Sequence, residues 1–516
     1  MDPNLPARML LDGCGGIQYV GSLERGDMKI LFVASEGLPF SKTGGLADVI
    51  EALPKSLVAL GYEVAVLLPR YRNTKAGGVA APGLTIPMGD TLRFPAIRNG
   101  GVLRGVRYFF VEDPEYFDRE QLYGVSGKDY PDNAERFAEF SRAAIEFSKH
   151  VWMPDVIHCH DWQSALVPVL LRTQYEKDPT VEGLPVVFTI HNMGYHGTFP
   201  RETMKRIGLS ESLYKIDAME FYGRVNFLKG ALVFSDFLTT VSRKYAEEIQ
   251  TPEYGHGLDG VVRNRADRLS GILNGVDYAA WNPEKDKFIA ATYSINDLSG
   301  KLVCKKNLLE VFCLPPEAAN KPLIGIVSRF VDQKGFDLIA KVAPNLLAED
   351  LAIVMLGAGE AKYEKMFRDL AKLHPGKLSV KVTYDNAIAH KVEAGADIFL
   401  MPSRYEPCGL NQIYSLRYGT VPVVRATGGL DDTIEAFEPA TGLGTGFKFQ
   451  AYDGAALLGA IRGALAIFRS EPTTWRKIQT NGMAEDFSWH GSAIEYARLY
   501  DVAWKSRNRN AVTTSN

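Results

Sequence analysis

Lys29-Ile30-Leu31-Phe32-Val33-Ala34, followed by Thr43-Gly44-Gly45-Leu46-Ala47-Asp48 and then by Val64-Ala65-Val66-Leu67-Leu68, is the stretch that decides the fold. The outer runs are short and apolar, as buried strands are, and Val49, Leu53, Leu57 and Leu60 between them keep helical spacing. Strand, helix and strand in this order form a βαβ unit, whose strands are parallel. The glycine pair falls at the strand-to-helix turn. There a missing Cβ lets a ligand approach the backbone, and the first N–H groups and the dipole of the helix favour an anion. The pattern returns as Thr427-Gly428-Gly429-Leu430-Asp431-Asp432, after the run Val421-Pro422-Val423-Val424. A glycine turn can serve chain reversal alone. Two in equivalent contexts predict two halves whose loops grip one anionic ligand.

Working outward, Val156-Ile157, Val186-Val187-Phe188-Thr189-Ile190 and Phe237-Leu238-Thr239-Thr240-Val241 continue the first series. A second series starts at Leu323-Ile324-Gly325-Ile326-Val327 and runs through Ala352-Ile353-Val354-Met355-Leu356 and Ile398-Phe399-Leu400-Met401. The expected fold class is α/β, with two Rossmann-like domains facing across a cleft. A length of 516 residues also exceeds what one core supports. The turn-rich Asn274-Gly275-Val276-Asp277 marks a boundary. The expected division is a loosely ordered extension over 1–27, a first domain over 28–275, a second over 276–485 and a returning segment over 486–510. Ligands of open α/β sheets sit at the carboxyl ends of the strands, so the site is expected in the cleft.

Composition narrows the function. With 46% hydrophobic and 23% charged residues and a net charge of −3, the chain reads as an ordinary globular protein without the basic field that nucleic-acid binding requires. No apolar run is long enough to span a bilayer. The five cysteines have no zinc-type spacing and are odd in number, which favours a reducing cytosol over a disulfide framework. The residues before Met28 lack signal- and transit-peptide features, so a cytoplasmic, bacterial setting is expected.

Residues fit for chemistry follow the strands. Arg329 and Lys334, in Ser328-Arg329-Phe330-Val331-Asp332-Gln333-Lys334-Gly335, pair a planar guanidinium with a mobile ammonium, a combination that can neutralise a diphosphate; solvated loop cations are the plain alternative. Glu406, in Ser403-Arg404-Tyr405-Glu406-Pro407-Cys408-Gly409-Leu410, can accept two sugar hydroxyls or serve as a cap or surface ion pair. Cys408 has no evident activator. In the first half, His158-Cys159-His160-Asp161-Trp162 and Thr189-Ile190-His191-Asn192 follow strands. A His-x-His spacing fits a metal poorly without a third ligand. Asp161 and His191 directed at the site is the better reading, with buried hydrogen bonding as the alternative. No metal site is expected, since no Asp-x-Asp occurs.

In this order the motifs resemble the bacterial glycogen synthase and plant starch synthase family, from Met28 to about Trp504. The most specific elements are Lys42-Thr43-Gly44-Gly45-Leu46-Ala47-Asp48-Val49, His160-Asp161-Trp162, Arg329 with Lys334-Gly335, Glu406-Pro407-Cys408-Gly409-Leu410 and the second Thr-Gly-Gly-Leu. The resemblance implies a GT-B type glycosyltransferase that moves α-glucose from ADP-glucose to the non-reducing end of an α-1,4-glucan. It further implies retention of configuration and neither an obligatory metal nor another cofactor. By the same resemblance Lys42, Gly44, Gly45 and Asp48 belong to the first-domain donor loop. Arg329 and Lys334 form the diphosphate clamp, and Glu406 with Thr427, Gly428 and Gly429 holds glucose and phosphate from the other side. His191 and Asp161 lie beside the glucosyl unit, and Tyr123 lies in the acceptor region. Asp486-Phe487-Ser488-Trp489 resembles the family's crossing back to the first domain. Many wider relatives carry a second Glu eight positions after the first, where this chain has Tyr414; glycogen and starch synthases share that departure. Two other readings stay open: a transferase using UDP-glucose or a small acceptor, and a catalytically silent glucan binder. Oligomeric state is not legible.

Overall fold

The computed structural model describes residues 8–11, 17–20, 27–125 and 127–513. Its internal contacts gather into two units, one comprising the chain up to Gly275 and from Trp489 onward, the other Val276–Ser488.

The first unit is built on a nine-stranded sheet. In chain order its strands are β1 (Lys29–Val33), β2 (Glu63–Pro69), β3 (Val79–Ala81), β4 (Ala96–Leu103), β5 (Val106–Glu112), β6 (Val156–His160), β7 (Val186–Ile190), β8 (Phe237–Thr240) and β9 (Leu269–Gly271). Across the sheet they run β9-β8-β7-β6-β1-β2-β5-β4-β3. From β9 to β5 every pairing is parallel, with Ile30 opposite Val64 on one side and Val156 on the other. β4 and β3 extend the edge antiparallel. Parallel strands are covered on both faces, which is why β6 and β7 are buried at every position. The helix Leu46–Ala59 lays Val49, Ile50, Leu53 and Leu57 against Ile30, Phe32, Val64 and Val66. Trp489, Ala493, Tyr496, Ala497 and Tyr500 of the long helix Trp489–Thr513 enter the same core at helical spacing.

The second unit carries a six-stranded, wholly parallel sheet of β10 (Leu323–Val327), β11 (Ala352–Leu356), β12 (Leu378–Lys381), β13 (Ile398–Met401), β14 (Val421–Arg425) and β15 (Phe447–Phe449), ordered β12-β11-β10-β13-β14-β15. Two apolar clusters cover its faces, one led by Phe336, Ile339 and Leu457, the other by Leu308, Phe312 and Leu416.

The first passage between units falls at Gly275/Val276. The return falls at Ser488/Trp489, three residues later than the expected 486, because Phe487 accepts the Val276 N–H at 2.9 Å and Ser488 bridges Val276 within the second unit. The helix then continues to Thr513, past the expected 510. Of residues 1–27, Arg8–Leu11 and Ile17–Val20 form an antiparallel pair and Asp27 is described; the expectation of loose order for the others lies outside the described residues. Among the described residues no helix is long and apolar enough to cross a membrane.

Gly275 has to be glycine because a Cβ there would stand 2.5 Å from the backbone N and Cα of Trp489. Gly275→Ala is expected to destabilise the protein by about 2 kcal/mol through this clash, read as a lowered denaturation midpoint at unchanged slope.

Candidate active site

In the first unit the polar residues gather past the carboxyl ends of three neighbouring strands, β1, β6 and β7. Glu36, just after β1, is 4% exposed and accepts the N–H groups of Thr43 and Gly44 and the Thr43 hydroxyl, the last at 2.9 Å. It thereby ties the glycine loop down. Burial pushes its carboxyl above the ordinary 4.5, against the lowering effect of those donors. Beside it Ser35 Oγ and the Tyr123 hydroxyl are 2.7 Å apart, and burial raises the Tyr123 hydroxyl well above 10. Asp161 follows β6 and accepts the His191 N–H at 2.8 Å. Burial pushes the Asp161 carboxyl up to about 7, with the nearby charge of Glu36 adding to the rise and the N–H groups of His191 and Asn192 opposing it. Its backbone has φ 54° and ψ 179°, a region that costs a non-glycine residue about 1–3 kcal/mol. His191 Nε2 lies 3.0 Å from His160 Nδ1, and burial lowers its pKa to about 3, so the ring is neutral near pH 7. Lys42 and Asp48 form a half-exposed ion pair at 2.6 Å.

The second unit repeats the logic past β10, β13 and β14, again neighbours in their sheet. Arg329 is exposed, and among the described residues its side chain enters no ion pair. Lys334 meets Glu406 at 2.6 Å, with side chains 17% and 6% exposed, and Ser403 Oγ donates to the same carboxylate oxygen at 3.1 Å. Gly335 makes the turn at φ +75°, and a Cβ there would stand 2.0 Å from the Pro402 carbonyl oxygen. The strand-end loops of β10 and β13 are therefore packed on each other, which fixes the Lys334–Glu406 pair.

The two glycine pairs, alike in sequence, differ in structure. A Cβ on Gly45 would meet nothing within 4 Å and one on Gly44 only Glu36 Oε1 at 3.8 Å, and both glycines are exposed. The chain itself has no need of glycine there, which leaves the space for a ligand. On Gly428 a Cβ would stand 2.0 Å from the Glu406 carbonyl oxygen and on Gly429 2.0 Å from that of Cys408. The Gly429 N–H already donates to the carbonyls of Glu406 (3.0 Å) and Pro407 (3.2 Å). Thr427, Gly428 and Gly429 are buried and seat the Glu406 loop. The two turns thus differ: the Gly429 amide of the second is engaged by the protein's own carbonyls, while the first glycine pair stands open.

His158 is a core residue. Its Nδ1 lies 2.7 Å from the Tyr500 hydroxyl and its Nε2 2.6 Å from Thr189 Oγ1. Among the described residues no group of three or more His, Cys, Asp or Glu is placed to hold a metal ion. Tyr414 stacks on Trp281 at 4.0 Å, and the other face of Trp281 stacks on His390 at 3.7 Å, so the residue at that departure builds a packed aromatic layer. Sequence reasoning missed Glu36 and Ser35; a lone Ser-Glu pair after a strand matches no motif.

The family model of the starch synthase catalytic domain matches residues 29–264, and that of the group 1 glycosyl transferases residues 315–471. The chain is 57% identical over 482 residues to the glycogen synthase of Koribacter versatilis, covering 93% of this chain and 99% of that one. The chain belongs to the glycogen and starch synthase family. Glycogen synthase 1 of Geobacter metallireducens is 46% identical, over 93% of this chain and 97% of its own. The catalytic domain of starch synthase IV from Arabidopsis thaliana, solved bound to ADP and acarbose, superposes with a TM-score of 0.84 at 32% identity, covering 93% of this chain and all of that one. Sucrose-phosphate synthase from Thermosynechococcus elongatus, at 18% identity and a TM-score of 0.56, shares the fold. The protein is a glucosyltransferase of the GT-B type, as the family resemblance implied.

The glycine contrast yields paired outcomes. Gly45→Ala is expected to change stability by less than about 1 kcal/mol, its φ of −69° suiting alanine, while lowering kcat/KM about tenfold or more by displacing the ligand. Gly429→Ala should cost about 2 kcal/mol or more of stability, and denaturation with steady-state kinetics separates the two. In the pH profile of kcat/KM the Asp161 carboxylate takes up its proton as pH falls through about 7. Activity is expected to fall on that acid side, and Asp161→Asn to abolish this limb.

Proposed function

We propose that this glucosyltransferase elongates an α-1,4-glucan with glucose from ADP-glucose in the bacterial cytoplasm, retaining configuration and using no resident cofactor. The observation that carries the assignment of roles is the Lys334–Glu406 pair at 2.6 Å, whose lysine lies in the same strand-end loop that carries the exposed Arg329. Names of relatives support the glucan product, and the ADP bound to the starch synthase IV domain supports the donor base.

As the C1–O bond to the diphosphate breaks, negative charge gathers on the departing ADP. Arg329 supplies a bidentate donor and Lys334 an oriented ammonium for that charge, the differential stabilisation that lowers a barrier. Glu406 holds Lys334 in place and accepts sugar hydroxyls with its remaining lone pairs. The acceptor 4-hydroxyl attacks C1 from the face the phosphate leaves, its proton passes to the leaving phosphate oxygen, and a new C1–O4 bond replaces the one broken. Lys42, Gly44, Gly45 and Asp48 serve the donor, and Thr427, Gly428 and Gly429 act by seating the Glu406 loop. Asp161 and the neutral His191 serve the glucosyl group by hydrogen bonding rather than by cationic charge, and Tyr123 serves the acceptor.

Glucose incorporation into glycogen, measured from ADP-glucose and from UDP-glucose with a chelator present, tests the reading. ADP-glucose is expected to be strongly preferred and the chelator to have no effect. Lys334→Ala should lower kcat by about 100-fold or more in a protein that still folds, with a melting temperature lowered by the loss of the buried Glu406 carboxylate's counter-charge. Equal use of UDP-glucose would overturn the donor assignment, and near-normal turnover in the variant would overturn the clamp.

A further inference from the structure

At the opposite edge of the first unit's sheet lies an open cavity of about 460 Å³ lined by Arg172, Ser235, Asp236, Arg265, Arg268 and Arg507. Its place follows from Asp236, which accepts the Val186 N–H at 2.8 Å and so marks the amino end of β7. His191 follows the carboxyl end of the same five-residue strand, roughly 15 Å away at about 3.3 Å per residue. The cavity is therefore separate from the site described above.

Its charges do not balance. Four guanidinium groups face two carboxylates, Asp236 and Asp267. Asp236 is divided between two of them, with Oδ2 accepting from Arg172 at 2.6 Å and Oδ1 from Arg507 Nε at 2.8 Å. Arg265 spends its donors on the carbonyls of Leu232, Val233 and Ser235 at the end of the helix Phe227–Phe234, and those carbonyls carry no full charge. Among the described residues Arg268 donates only to its neighbour Asp267, at 3.2 Å, and lies over the Phe237 ring. The Arg172 side chain is 14% exposed, and among the described residues its Nε and Nη1 have no hydrogen-bond partner and the buried Ser235 Oγ has none either. A buried cation that shares its one counter-charge is costly, and an anion bound beside it removes that cost.

We propose that this cavity is an oxyanion site that takes a phosphate group, either free inorganic phosphate or the phosphate of a small monoester. Guanidinium forks match the tetrahedral oxyanion in geometry as well as charge. The volume leaves room for an organic part beyond the phosphate. A ligand there bridges Arg507 of the final helix to Arg172, Arg265 and Arg268 of the sheet's own connections, so its binding energy adds to the seating of that helix.

Calorimetric titration of the full chain with inorganic phosphate and, separately, glycerol 3-phosphate at constant ionic strength tests this. The wild type is expected to show one saturable site that survives Lys334→Ala and weakens by about tenfold or more in Arg268→Gln and in Arg507→Gln. Tighter binding of glycerol 3-phosphate identifies an organic ligand; tighter binding of inorganic phosphate identifies the free ion. Arg507→Gln removes a partner of Asp236 and can loosen the fold. Asp267→Asn therefore serves as the counter-test: its side chain is 72% exposed, and its loss of charge must tighten binding. Absence of a saturable site in the wild type, binding lost in Lys334→Ala, or binding untouched by Arg268→Gln and Asp267→Asn overturns the proposal.

Discussion

A strand covered on both faces has no place for an unpaired polar side chain, and in a parallel sheet all such strands release the chain at the same edge. Both units obey this constraint, and the chemistry follows from it. In the first, β1, β6 and β7 are adjacent, and the residues past their carboxyl ends are Glu36 with the exposed glycine loop, Asp161 and His191. In the second, β10, β13 and β14 are adjacent and present Arg329 and Lys334, Glu406 and the Thr427-Gly428-Gly429 turn. Loops from neighbouring strands are held about 5 Å apart by the strand spacing itself, so side chains far apart in sequence meet without long-range design.

Each unit then uses a buried carboxylate to hold one flexible group. Glu36 holds the first glycine loop by its backbone N–H groups, and Glu406 holds Lys334 by its ammonium. Desolvating a carboxylate costs several kcal/mol unless donors compensate, and in both cases the compensating donors are the groups to be positioned. The second glycine pair works by a different means. Gly428 and Gly429 let the helix Gly428–Thr433 approach the backbone of residues 406–408 more closely than any Cβ would allow, so they position Glu406 through packing.

The sheets were largely legible because buried parallel strands read as unbroken apolar runs, and Lys29–Val33, Val186–Ile190, Leu323–Val327 and Ala352–Leu356 are such runs. The edges were not. Ala96–Leu103 contains a glycine pair and a register shift, Leu269–Gly271 and Phe447–Phe449 have three residues each, and Leu378–Lys381 is half polar. The candidate site residues were legible as motifs, but their pairings were not, since Lys334 and Glu406 are 72 positions apart. The repeat of Thr-Gly-Gly-Leu misled in one respect. Identical residues answered a demand for open space in one loop and for close backbone contact in the other, and only the surroundings distinguish the two. Tyr414 likewise acquired meaning only when Trp281 and His390 were found stacked in line with it.

The return of the chain to the first unit bears on the site as well as on the core. Tyr500 of the final helix and the His158 ring are 2.7 Å apart, His158 and Thr189 Oγ1 are 2.6 Å apart, and Thr189 contacts Thr239, so one hydrogen-bonded chain crosses β6, β7 and β8. The ring of His158 lies 4.0 Å from that of His160, which in turn contacts His191. Burial lowers the pKa of all three histidines, with the neighbouring rings adding to the effect for His158 and His160. His160 and His191 therefore share a hydrogen bond as neutral rings, while His158 is held by Tyr500 and Thr189 and packs on His160 by ring contact. A neutral cluster whose His158 and His160 are buried is sensitive to register, because a displaced member strands a polar group away from water. The helix that closes the core at Trp489 thereby also fixes the ring of His191, and the placement of the site depends on a segment almost three hundred residues further along the chain.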